Sequence, residues 1–149
     1  MPIEFQHDAH KRIYEKIAQQ AREVWGEMAR FREDAPVFLL DMGSAFVRVA
    51  VFPWGDDDAF VNARSWVICG AEIKPELMHF LLRKNDDFRF GAFGLDKDDD
   101  VFFEHSIVGS TCDKPELKSC VMAVLSTADK FDDEIQGRWG GTRAVDRTK

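Results

Sequence analysis

AFVRVAVFPWGDDDAFVNARSWVIC, residues 45–69, reads as two strands joined by a turn. In Ala45–Phe52 and Phe60–Cys69 apolar side chains recur at alternate positions, the period of a β-strand. Between them, Pro53-Trp54-Gly55-Asp56-Asp57-Asp58 is turn chemistry, short enough for an antiparallel connection. Alternation sorts the side chains onto two faces. One carries Val47, Val49, Val51, Val61, Ala63, Val67 and Cys69, with Ser65. The other carries Phe46, Arg48, Ala50, Phe52, Phe60, Asn62, Arg64, Trp66 and Ile68. Small β-branched residues suit a core covered by helices. Rings mixed with arginines are the composition enriched at protein–protein contacts.

Upstream, Val37–Leu40 reads as a third strand, joined through the turn Asp41-Met42-Gly43-Ser44. Before it, residues 8–33 have helical periodicity, with Ile13, Ile17, Ala21, Val24, Met28 and Phe31 on one stripe. Asp8 can cap its start, and Asp34-Ala35-Pro36 ends it. Downstream, the tetrapeptide KPEL occurs twice, at 74–77 and 114–117. Each copy stands where the chain leaves a strand. Proline is tolerated in a first helical turn, and glutamate there complements the helix dipole. Asp113 and Glu116 add capping-box spacing to the second copy. The first helix so opened runs to about Asn85. The second carries Leu117, Val121, Val124, Ala128, Phe131, Ile135 and Trp139 on one stripe until Gly140-Gly141. Between the helices, Phe88–Leu95 and Asp100–Val108 read as a hairpin. The order is α-β-β-β-α-β-β-α, an α+β fold with an antiparallel sheet.

The 149 residues have the size of a single domain, 1–149, with an ordered core over about 8–140 and a polar tail at 141–149. Net charge is −7, which argues against nucleic acid and anionic membrane as partners. No apolar run reaches membrane-spanning length; AFVRVAVF is short and carries Arg48. The N-terminus lacks the apolar region of a secretory signal. Three cysteines outside any C-x-x-C pair read as reduced thiols of a cytoplasmic protein.

Candidate chemical sites are sparse. Asp96, Asp98 and Asp100 have the alternate spacing that begins an EF-hand, which makes a calcium sensor the alternative reading. The EF-hand loop, however, needs Gly and Glu where this chain has Val101 and Ile107. His7 and His10 read as a solvated N-terminus, and His79 and His105 as structural or surface residues. No nucleophile elbow, dinucleotide fingerprint or P-loop is present, so no catalytic residue, metal site or cofactor is expected. An enzyme with an unrecognised site stays open as a further alternative.

The stretch LLRKNDDFRFGAFGLDKDDDVFFEHSIVG, residues 81–109, and the later ADKFDDEI segment resemble the YbjN-like family, whose domains are similar to type III secretion chaperones. Asn85 resembles that family's residue closing the middle helix. Gly91, Gly94 and Asp96 resemble those that shape its hairpin. The resemblance implies a chaperone-like α+β fold, dimerisation, and a non-enzymatic binding or regulatory role; no active site transfers with it. The expected docking surface is the aromatic sheet face: Phe46, Arg48, Phe52, Phe60, Arg64 and Trp66. Its expected occupant is a second copy or a protein or peptide partner.

Overall fold

The computed structural model describes residues 2–144. Helix α1 spans Asp8–Trp25, and a 3-10 turn at Gly26–Met28 leads to β1, Arg30–Phe31. Then follow β2 (Val37–Met42), β3 (Ala45–Trp54), β4 (Asp58–Cys69), α2 (Pro75–Asn85), β5 (Ala92–Leu95), β6 (Val101–Val108), α3 (Lys114–Trp139) and β7 (Thr142–Arg143). The strands form one antiparallel sheet in the order β1-β2-β3-β4-β6-β5, with β7 pairing with β4.

The valine face decides the packing. Val47, Val49, Val51 and Val61 are fully buried, together with Ile17 of α1 and Leu117 and Ile135 of α3. Each such side chain contributes about 1.5–3 kcal/mol when removed from water. A register slip of one residue would turn this whole set outward. Every residue of the expected α3 stripe is buried, from Leu117 to Trp139. Helix α2 joins the same layer, where Phe80 packs against Phe131 and Trp139 of α3 at centroid distances of 6.5 and 5.2 Å.

Both KPEL segments open helices. Pro75 and Pro115 lie in first turns, and the Asp113 carboxylate accepts the Glu116 N–H at 2.8 Å. At α1 the cap is His7, whose Nδ1 accepts the His10 N–H at 3.0 Å; Asp8 is the first helical residue.

Four expectations are corrected. Helix α1 ends at Trp25, eight residues before the expected end at 33, because Gly26 turns to φ 57°. Met28 is thereby exposed, and Phe31 sits on β1, which pairs with β2. The second hairpin begins at Ala92: Gly91 takes φ 86°, and Phe88 instead joins a ring cluster with Phe93, Phe103 and Phe131. A register shift between Trp66 and Ile68 breaks alternation at the end of β4, and Ile68 is fully buried, on the side opposite to that expected. The tail is ordered at its start, since Thr142 and Arg143 pair with Cys69 and Ile68 and Ala144 is buried. The rest of the expected tail, 145–149, lies outside the described residues.

Candidate protein-binding face of the sheet

The outer face of β3, β4 and β6 collects the residues singled out above. In register, Arg48 stands opposite Arg64, Phe52 opposite Phe60, and Phe60 opposite Val108. Phe46, Arg48, Phe60, Arg64 and Trp66 are half-buried, and Phe52 is exposed. Phe46 stacks on Trp66 at 6.4 Å, and Phe52 lies 5.3 Å from Phe60. All six expected residues therefore share one surface, in two ring pairs with the arginines between them.

The two arginines differ in how they are held. Arg64 donates from Nε and a terminal nitrogen to Glu104 Oε1 at 2.9 and 2.7 Å, and its guanidinium lies 3.8 Å over the Phe102 ring. Asn62 donates to the same Glu104 oxygen. Arg48 rests 4.9 Å over Trp66, and its Nε is buried without a hydrogen-bond partner. Burial first, then the neighbouring Arg64, hold its pKa below the usual arginine value, with Glu104 opposing. A buried N–H without an acceptor is costly.

Trp66 is also tied at its edge. Its indole Nε1–H donates to Asp96 Oδ2 at 2.9 Å. The other Asp96 oxygen accepts the N–H groups of Asp98 and Asp100, both at 2.9 Å. Desolvation would raise this carboxyl, but the bonds from Trp66 and the two amides outweigh it and leave the pKa lowered. Asp100 is buried and accepts the Gly70 N–H. Two carboxylates of the acidic turn, Asp96 and Asp100, therefore shape the hairpin and fix Trp66. Among the described residues, no three His, Cys, Asp or Glu side chains form a metal-binding group.

His10 is buried, and its Nε2 lies 2.8 Å from the Val51 carbonyl, as a donor to it. This corrects the reading of a solvated N-terminus. His79 is exposed on α2; His105 is half-buried on β6, and burial lowers its pKa. Burial pushes the Cys112 and Cys120 thiols up to about 11 and about 12, the reverse of an activated nucleophile.

Some of the surface was missed by the sequence reading. Trp54 is 55% exposed and continues the even-numbered face of β3 past Pro53, because the strand runs two residues further than expected. Val108, Phe102 and Glu104 join from β6; their parity in that strand was a usable signal. The Trp66–Asp96 bond spans 30 residues and had none.

The sheet thus carries helices on one side and a surface of rings and arginines on the other. The chain belongs to the family described as T3SS (YopN, CesT) and YbjN peptide-binding chaperone 1, whose model matches residues 12–147. A search of curated proteins finds no match. Solved structures of this fold include the ExsC–ExsE complex, with TM-score 0.63 and 13% identity over 86% of this chain and 96% of that one. The HopA1–SchA chaperone–effector complex matches with TM-score 0.60 and 13% identity, over 87% and 98% of the two chains. The Yersinia pestis type III secretion chaperone SycH, in complex with a fragment of YscM2, matches with TM-score 0.53 and 18% identity over 79% and 98%. The fold is thus that of type III secretion chaperones, as the resemblance implied. None of the helices is long and apolar enough to cross a membrane among the described residues.

Proposed function

We propose that this protein is a non-enzymatic, cytoplasmic peptide-binding chaperone that works as a homodimer. It holds an extended segment of a partner protein on the outer sheet face, against Phe46, Arg48, Phe52, Phe60, Arg64 and Trp66. The observation that carries this reading is the two ring pairs that flank Arg48 and Arg64 on one partly exposed sheet face. The family's peptide-binding character and the chaperone–effector complexes among the structural neighbours support it.

A different surface suits the second copy. Leu82 and Met78 of α2 are 72% and 41% exposed, and they border a cavity of about 230 Å³ with Phe93, Gly94 and Leu95 of β5. β5 is the last strand of the sheet, and the Asn85 side chain bonds both outward backbone groups of Phe93, so a contact there would rest on apolar side chains. A two-fold contact there would leave the aromatic face open to a partner.

A display library of extended peptides, selected on the protein, tests the reading, with light scattering on the same samples. Phe46→Ala with Trp66→Ala is expected to lose the selected peptides and keep dimer mass. Leu82→Glu with Met78→Glu is expected to halve the mass. Peptides that bind the ring-deleted variant as well as the parent would overturn the assignment of the face. A monomeric parent would overturn the dimer.

A further inference from the structure

Three arginines share one row of the outer sheet face. Arg30 and Arg48 flank Leu39, and Arg64 stands beyond Arg48. The outer two are paired: Arg30 with Asp41 at 2.5 Å and Arg64 with Glu104 at 2.7 Å. Arg48, between them, forms no ion pair among the described residues. Glu104 stands one strand further on, opposite Arg64, and is bonded to Arg64 and Asn62. Burial and the charge of Arg64 both work against the Arg48 cation.

The surroundings of Arg48 are apolar. Toward one end of β3 its guanidinium lies 4.9 Å over Trp66, which stacks on Phe46. Toward the other end, Ala50 and Asn62 are buried, and Phe52 and Phe60 form the second ring pair. Arg48 is half-buried with Nε turned inward, so a ligand would meet its terminal nitrogens. A cation on such a partly dehydrated surface attracts a carboxylate more strongly than one in open water. The rest of the chain sets a limit, because a net charge of −7 repels a strongly acidic segment.

We infer that the outer face selects a partner segment carrying one acidic residue among apolar ones, its carboxylate bonded to the Arg48 guanidinium. This rests on the peptide-binding reading above and names the chemistry of the occupant. Glu104 sets the specificity. By occupying Arg64 it leaves one cation of the row to be matched, so a single carboxylate fits and a run of them does not. The strand period sets the spacing. Same-face positions are about 6.8 Å apart; Phe46 is one such step from Arg48, and Phe52 is two steps the other way. An extended segment lying along β3 then presents one apolar residue two positions from the acid and another four positions away on the other side.

The test uses the full chain and three fluorescent synthetic peptides with leucines at that spacing. The central residue is Asp in one and Asn in the second, and the third has a run of three Asp. Anisotropy is expected to place the single-Asp peptide about tenfold above the Asn peptide, with the three-Asp peptide no tighter. The margin should shrink as salt is raised. Arg48→Gln is expected to erase the margin while the Asn peptide still binds. Glu104→Gln releases Arg64 and keeps an acceptor for Asn62; it is expected to widen the margin, a gain that a misfolded chain could not give. Phe46→Ala with Trp66→Ala should weaken both the Asp and the Asn peptide. Equal binding of those two to the parent, lost together in the ring-deleted variant, would overturn the acid selection and sustain the sheet face. A margin that persists in Arg48→Gln would overturn the role of Arg48. Tighter binding of the three-Asp peptide, or no binding of any peptide, would overturn the inference too. A change of mass in Arg48→Gln, read by light scattering, would assign the row to self-association and overturn it likewise.

Discussion

At the scale of single residues, one side-chain cluster ties the β2–β3 turn to α3. Ser44 Oγ lies against Asp129 Oδ1 and 2.6 Å from Asp132 Oδ2, and the Ser44 N–H also donates to Asp129. A hydroxyl has one proton and two carboxylates face it, so it bonds one of them fully and the other only when that carboxyl is protonated. Asp132 is the more buried of the two: it is 2% exposed, and its Oδ1 has no hydrogen-bond partner. Burial, the largest effect, raises its pKa above the ordinary 3.8, while the Ser44 hydroxyl lowers that of Asp129. Folded Asp132 binds its proton more tightly than the unfolded chain does. Its contribution to stability is therefore complete below 3.8 and is lost as pH rises through the folded value. Asp129 runs the other way: its contribution is present above 3.8 and is lost as pH falls through its lowered value. Asp132→Asn keeps a donor for Ser44 and removes the buried charge. Urea unfolding should find it more stable than the parent by about 1 kcal/mol at neutral pH, with the gain shrinking in acid. A loss of stability at neutral pH would show that Asp132 works as a carboxylate. None of this was legible in the sequence, where Ser44 and Asp132 are 88 residues apart.

At the scale of elements, legibility followed the strength of the local signal. The two KPEL helices were readable because proline, glutamate and an apolar stripe agree at their starts. The two faces of β3 and most of β4 were readable because one face is buried and alternation is strict. The reading failed where backbone geometry overrode the pattern. Val24, Met28 and Phe31 keep helical spacing across Gly26, yet the chain turns at that glycine. A Cβ at Gly26 would meet nothing within 4 Å, so its role is conformational and not steric. Gly26→Ala should cost about 1 kcal/mol, read as a lower thermal midpoint with the fold retained. An unchanged or raised midpoint would mean that the φ of 57° is no constraint. β1 and β7 are two residues each, too short to carry any period. The bulge that buries Ile68 inserts no glycine or proline to mark it.

At the scale of the molecule, the sheet divides labour between its sides. Three helices seal one face, and the other keeps Phe46, Phe52, Phe60 and Trp66 within reach of solvent. Composition foretold part of this: Phe occurs 13 times and Tyr once, more rings than the helix-covered core takes up. What composition could not foretell is that Glu104 engages Arg64 and leaves Arg48 without an acceptor at Nε. That asymmetry needs the register of β3, β4 and β6 together. The central claim is that this outer face receives a partner segment. Its most direct test is photo-crosslinking in living cells, with a photoreactive phenylalanine analogue replacing the exposed Phe52. A discrete adduct should form with a peptide of another protein, and it should vanish when Phe46→Ala and Trp66→Ala are added. An adduct pattern unaltered by those two substitutions, or no adduct from this position at all, would contradict the account.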